Sequence, residues 1–429
     1  MKAYNELSRK ELQVLEQALK AEFEKVKEMG LKLDMSRGKP GKDQLDLSLP
    51  LLDALTSESS FQCEAGVDVR NYGVLDGIPE IKKILGDLMG AAPDHMIVYG
   101  NSSLNIMYDT ISRSEVFGVM GSTPWCKLGQ PVKFLCPVPG YDRHFAITEL
   151  FGIEMINIPM DENGPDMDMV ERLVAEDPMV KGIWCVPQYS NPAGICYSDE
   201  VVLRMANLQP AAKDFRIFWD NAYAIHHLYD DAKPILNIVE ACEKSGHPDM
   251  YYEFCSTSKV TFPGAGVAAI ISSPANIAEI KKQMTIQTIG HDKINQLRHA
   301  QYFKNADGVR EHMKKQAALL RPKFEAVLTT LDHELSGLNV GTWVTPKGGY
   351  FISFNALPGC AKRIVSLCKE AGVVMTGAGA TYPYGKDPED ANIRIAPTFP
   401  SREDLEKACK VFVLCVKLAS VEKLLQQTK

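Results

Sequence analysis

The amino-acid sequence predicts an α/β protein: a doubly wound, mostly parallel sheet, with a second, smaller α+β part. Three observations predict it. Short runs that are apolar throughout recur between residues 133 and 272, and such runs fit strands covered on both faces. Stretches of helical periodicity separate many of them, as a layered α/β unit requires. After about residue 275 the pattern changes to a long helical region followed by two isolated strand-like pieces.

Taken in order, Ser8 with Glu11 is a capping box. It opens a long amphipathic helix with Leu12, Leu15, Leu19, Phe23 and Val26 on one side, ending near Gly30. Residues 33–42, LDMSRGKPGK, are irregular. Helices are predicted over 78–89, beginning near Pro79, and over 104–116. Strands are predicted over 133–137, 153–158, 182–187, 215–220, 251–255 and 266–272, with helices at 166–175 and 198–208 between them. A helical region over 276–331 follows, then strands near 349–354 and 392–396 and a helix from Arg402 onward. The expected division is a large unit over 61–315 and a small one made of 1–60 and 316–429.

Composition narrows the function. The 429 residues are 45% hydrophobic and 24% charged, an ordinary globular balance. At roughly 150 residues per domain the length suggests two or three domains. A net charge of -7 argues against a nucleic-acid binder but leaves room for a local basic pocket. The start, MKAYNELSRKELQ, has no secretory pattern, and no run reaches the ~18 apolar residues of a membrane span. The 11 cysteines are scattered with no Cys-x-x-Cys, and Cys136, Cys185 and Cys255 lie in apolar runs. Buried reduced thiols in a cytoplasmic protein are expected, not a disulfide framework or a zinc site. The nine histidines lack metal-ligand spacing as well; His226-His227 is their one adjacent pair.

The chemistry lies in an ordered series of strand-end words. Gly100-Asn-Ser-Ser-Leu-Asn opens a helix, where N–H groups and the dipole favour an anion, although the same residues also serve as ordinary caps. Pro139-Gly-Tyr141 follows a buried strand, so its tyrosine can stack on a flat ring or fill the core. Asn191-Pro-Ala-Gly presents an amide at the carboxyl edge of the sheet. Asp220-Asn-Ala-Tyr223 places a carboxylate after an apolar strand. That is costly unless it meets a cation, whether an Arg, a Lys or a ligand. Ser256-Thr-Ser-Lys259 puts a lysine after a strand and a hydroxyl cluster. There it can lose its proton and attack a carbonyl, with the hydroxyls apt for phosphate.

With these residues, the words RGKP, NYGVLDG, GNSSLNIMYD, PGYDRHF, SNPAG, DNAY, STSK, FPGAGVA, QTIG-x-DK and IRIAPTFP run nearly the length of the chain. On them the sequence resembles the fold-type I pyridoxal-phosphate enzymes, within these the class I aminotransferases, and most of all the type Ic bacterial aspartate aminotransferases. The resemblance implies pyridoxal 5'-phosphate held as a Schiff base on Lys259, which also shuttles the substrate's α-proton. It implies that Asp220 pairs with the ring nitrogen, that Asn191 and Tyr223 bond the ring's phenolic oxygen, and that Tyr141 stacks on the ring. Ser102, Ser103, Ser256 and Ser258 fall in phosphate-binding positions. Tyr72 matches a residue that reaches the cofactor of the other subunit, which implies a homodimer with active sites at its interface. Arg394 matches the grip on the substrate α-carboxylate, and Gly38 a loop glycine beside the substrate.

One position departs from the pattern: Val267 stands where most class I enzymes carry a phosphate-binding arginine, eight positions after the lysine. Helix N–H groups, hydroxyls or another cation must serve there instead. Aspartate with 2-oxoglutarate is the expected substrate pair, with Lys293 of the other subunit, Arg37 or Arg143 as cations for a distal carboxylate. Another reaction on the same scaffold, such as β-elimination, is the alternative; retention of the carboxylate by Arg394 disfavours decarboxylation. A sensor domain of a transcription regulator is a more distant one, because residues before the RGKP loop hold one long helix and no helix-turn-helix.

Overall fold

The computed structural model describes residues 2–427; Met1, Thr428 and Lys429, which the expected small unit includes, lie outside the described residues. The apolar runs assemble into an eight-stranded sheet. In chain order its strands are β1 (Met96–Val98), β2 (Lys133–Val138), β3 (Glu154–Asp161), β4 (Gly164–Pro165), β5 (Val180–Cys185), β6 (Arg216–Asp220), β7 (Tyr251–Ser256) and β8 (Ala268–Ile271). Their order in space is β1-β8-β7-β6-β5-β2-β3-β4. The central strands β7, β6, β5, β2 and β3 are parallel, and β1, β8 and β4 pair antiparallel at the flanks.

The period-two alternation of a strand sends successive side chains to opposite faces. Phe134, Trp184 and Phe218 pack with Phe145 and Ile147 of the helix Asp142–Leu150. Their neighbours Leu135, Ile183, Ile217 and Trp219 pack on the other face with Val170, Val174, Val201 and Val202 of the helices Met167–Glu176 and Asp199–Ala206. With both faces covered, every residue of β5 and β6 is buried, as continuous apolar runs require. From β2 the chain moves outward to β3, then returns to β5 on the far side of β2. Strand order therefore reverses between β2 and β5, and a crevice opens beyond their carboxyl ends, where open α/β sheets bind ligands.

The small sheet is antiparallel: Gly341–Trp343 pairs with Ile352–Ala356, which pairs with Asn392–Ile395. A two-residue parallel pair, Leu33–Asp34 with Val373–Val374, joins the two ends of the chain. Leu12, Leu19 and Phe23 of the first helix, Arg9–Glu28, share one core with Phe324, Leu331, Phe354, Phe412 and Val416. The capping box is in place, with Ser8 Oγ accepting from Glu11 N–H and Glu11 accepting from Ser8 N–H.

Three expectations are corrected. The region 276–331 is three helices, Pro274–Gln287, Lys293–Phe303 and Ala306–Leu335. Asp292 and Asn305 cap the second and third, and Lys304 breaks the chain with φ 68°. Apolar periodicity does not register such polar stops. The strand expected from Gly349 begins at Ile352, because Gly349 adopts φ 79°, outside the extended region. β3 is not covered on both faces; exposed and buried residues mix along it near the flank of the sheet. Among the described residues no helix is long and apolar enough to cross a membrane, and no cluster of His, Cys, Asp and Glu could hold a metal ion. All eleven cysteines are free thiols.

Candidate active site

Loops leaving the carboxyl ends of β2, β5, β6 and β7 meet the small sheet at the crevice. Arg37, Gly38, Tyr141, Asn191, Tyr223, Lys259 and Arg394 line one cavity of about 370 Å³, with Asp142, Arg143 and Phe351 beside them. Lys259 follows β7 by three residues. Its Nζ lies 5.0 Å from the ring centre of Tyr223 and 5.7 Å from that of Tyr350. Burial lowers its pKa, against the pull of Asp220 and with the push of Arg394, which shifts the balance toward the neutral amine. Tyr350 steadies the lysine turn: its hydroxyl donates to Lys259 O at 3.4 Å and accepts from Gln44 Nε2 at 2.9 Å.

Asp220 ends β6 and is buried. Its Oδ2 lies 2.9 Å from His144 Nε2, and His144 stacks on Trp184 with ring centres 4.3 Å apart. The partner is thus a histidine rather than the Arg or Lys that a salt bridge would supply. Oδ1 is buried with no hydrogen-bond partner, an arrangement that costs free energy until a donor arrives. Tyr223 is fully enclosed; burial, then the nearby Tyr141 and Asp220, push its phenol well above the usual range. Tyr141 is raised too, chiefly by burial.

Arg394 lies in the strand Asn392–Ile395, flanked by buried Ile393 and Ile395. Its guanidinium rests 4.8 Å from the ring centre of Phe351. Nη1 donates to Asp142 Oδ1 at 2.8 Å and to Asn191 Oδ1 at 3.3 Å, while Nε is buried without a partner.

The serines gather where the helix Ser103–Phe117 begins. Ser102 occupies the cap position, yet its side chain makes no capping bond, which leaves hydroxyl and N–H groups for an anion. Ser258 Oγ donates to Asn101 O at 2.8 Å, and Asn101 Nδ2 donates to Pro263 O at 2.9 Å, so this helix start and the lysine loop are tied together. Ser256 closes β7. Val267 is a core residue whose N–H donates to Thr257 Oγ1 at 2.9 Å, so no cation occupies that position.

Asp220, Ser102, Ser103, Ser256 and Ser258 are not among the residues that line this cavity, and neither are Tyr72 and Lys293. Tyr72 is 77% exposed, whereas Lys293 is only 6% exposed. They share a corner: a Cβ added at Gly290 would lie 2.8 Å from Gly73 O and 3.5 Å from Lys293 Nζ. Sequence reasoning did not single out His144, Asp142, Phe351 or Tyr350. The signal for the first two was present, one helical turn or less past Tyr141 in PGYDRHF. A larger surface hollow of about 540 Å³ beside Arg204 offers no comparable chemistry, because Arg204 is engaged by Asp168 and Glu171.

An amine of lowered basicity, a buried carboxylate oxygen lacking a donor, aromatic walls and a helix start with free hydroxyls suit one kind of guest. It is a flat, anionic carbonyl compound with a basic ring nitrogen.

Comparisons with known proteins agree on the family. Residues 7–428 match the family model described as aspartate amino-transferase. The chain is 48% identical to an aspartate aminotransferase of Corynebacterium glutamicum over 405 residues, covering 94% of this chain and 93% of that one. A crystal structure of an aspartate transaminase from C. glutamicum superposes with a TM-score of 0.96 at 46% identity, covering 98% of this chain and 99% of that one. The α-aminoadipate aminotransferase of Thermus thermophilus, complexed with N-(5'-phosphopyridoxyl)-L-leucine, shares the fold at 18% identity with a TM-score of 0.73, covering 92% of this chain and 93% of that one. This chain belongs to the aspartate amino-transferase family and is an aminotransferase.

Proposed function

We propose that the protein binds pyridoxal 5'-phosphate and moves the amino group between L-aspartate and 2-oxoglutarate. The observation that carries this reading is the pairing of Lys259, whose basicity burial lowers, with Asp220, whose Oδ1 has no donor. When bound, the cofactor supplies an aldehyde that condenses with amines and a ring that takes up the electrons released at the substrate α-carbon. Asp220 Oδ1 holds the proton of the ring nitrogen. Asn191 and Tyr223 orient the ring's oxygen, and Tyr141 walls one face. Ser102, Ser103, Ser256 and Ser258 hold the phosphate together with the helix N–H groups, since Val267 carries no charge. Arg394 binds the α-carboxylate beside Gly38, and Lys259 Nζ takes and returns the α-proton. The dicarboxylate preference draws support from the C. glutamicum relative and from the guanidiniums of Arg37 and Arg143 on the cavity wall.

The reading extends to the assembly. The protein is a homodimer in which Tyr72 and Lys293 serve the other subunit's site, with a large unit over 61–315 and a small one over 1–60 and 316–429. A cytoplasmic location suits eleven free thiols.

The test is the visible spectrum of purified protein before and after L-aspartate, with Lys259→Ala as control. Wild type is expected to be yellow and to bleach with substrate, while Lys259→Ala binds cofactor without the covalent link. A colourless wild type after reconstitution overturns the cofactor reading. Equal rates with aspartate, glutamate and alanine overturn the dicarboxylate preference.

A further inference from the structure

The guanidinium of Arg394 already holds a carboxylate of its own chain. Its Nη1 lies 2.8 Å from Asp142 Oδ1, with side chains 8% and 34% exposed. Asp142 is the first residue of the helix Asp142–Leu150, and the start of a helix favours a negative charge. It lines the cavity that Lys259 lines. A second observation concerns the same fork: Arg394 Nε is buried with no hydrogen-bond partner. One arm of the guanidinium is therefore occupied by Asp142, and another donor is left without an acceptor. A buried donor without an acceptor costs free energy, which a carboxylate reaching it relieves. A carboxylate that spans the two terminal nitrogens end-on must take the place of Asp142 on Nη1.

We propose that Asp142 is a positioning residue that stands in for the substrate carboxylate, holding Arg394 in place between turnovers and giving way when a substrate binds. The proposal rests on the proposed function, since it takes Arg394 as the carboxylate grip. The exchange is nearly balanced in charge, because one ion pair breaks as another forms. Displaced Asp142 has cations within the cavity to turn to. Arg37 and Arg143 both line it, and among the described residues neither makes an ion pair. The device keeps the guanidinium aimed without a ligand, at the cost of some affinity. A dicarboxylate meets that cost better than a monocarboxylate, since its second charge can pair with Arg37 or Arg143.

The test is calorimetric titration of the cofactor-loaded protein with succinate, a dicarboxylate with no amino group to react. Asp142→Asn, and Asp142→Ser as a second variant, are expected to bind succinate about tenfold more tightly than wild type, the worth of one partly sheltered ion pair. The sign is decisive, because a merely structural role for Asp142 would loosen binding as Arg394 lost its support. Equal or weaker binding in both variants, with thermal midpoints and cofactor absorbance retained, overturns the proposal. Wild type that takes up no succinate overturns the carboxylate-grip reading itself, and the proposal with it.

Discussion

Gly38 carries no side chain at a point where one would be felt at the substrate grip. A Cβ there would lie 2.3 Å from Phe351 Cζ, and the Phe351 ring supports the Arg394 guanidinium at 4.8 Å. Gly38→Ala must push the ring, and the ring must push Arg394. Catalysis is sensitive to displacements of this size, so kcat/KM for amino-acid substrates is expected to fall about ten- to a hundredfold. Steady-state kinetics of the variant would show it; unchanged kcat/KM would mean that Phe351 yields without moving the guanidinium. At this scale the sequence was informative about charged and aromatic residues that end strands. Lys259, Asp220, Tyr223, Tyr141 and Arg394 sit within a strand or at most three residues past one, and Asn191 six residues past β5. His144 and Asp142 were not legible in the same way, because each acts through a neighbour that only the folded chain supplies.

Strand pairing makes a second buried acid. β6 and β7 run side by side, and Asn221, just past β6, donates its Nδ2 to Glu253 Oε1 of β7 at 2.8 Å. Glu253 Oε2 and Asn221 Oδ1 are both buried without partners. A single proton on Glu253 can satisfy both through a closed acid–amide pair. Burial pushes the carboxyl up to about 7, with the Asn221 bond opposing. The folded-state pKa therefore exceeds the unfolded value. The stabilisation is complete below about 4.5 and is lost as pH rises through about 7. Denaturant titrations at pH 5 and pH 8 should show wild type losing on the order of 3 kcal/mol that Glu253→Gln does not lose. Parallel losses in both proteins would place the proton elsewhere. Some elements were legible with a cap at their start, as at Ser8, Asp166 and Ser198, each bonded to a backbone N–H of the first turn. They were illegible where apolar spacing ran on across polar stops, as from Pro274 to Leu335. β1 escaped notice because three residues are too few to show a period.

For the molecule as a whole, the doubly wound sheet followed from unbroken apolar runs, whereas the assembly leaves only a faint trace in the sequence. Ile286 is 90% exposed, Ile289 58% and Ile294 42%, on the corner that also carries Tyr72. Large aliphatic side chains are seldom left in water so close together, and such a patch marks a contact surface. In the proposed homodimer this corner faces the other subunit. Ile286→Lys is expected to raise the dimer dissociation constant about a hundredfold, measured by sedimentation. Unchanged association would move the interface to another face.

The two-residue pair Leu33–Asp34 with Val373–Val374 has a consequence for anyone wishing to recut the pocket. Just past it, Thr376 Oγ1 donates to Ser36 O at 2.7 Å across 340 positions of chain. The segments bearing Arg37 and Thr376 are therefore stitched into a single wall. A graft that swaps one alone leaves a torn seam, so both must be exchanged as a matched set.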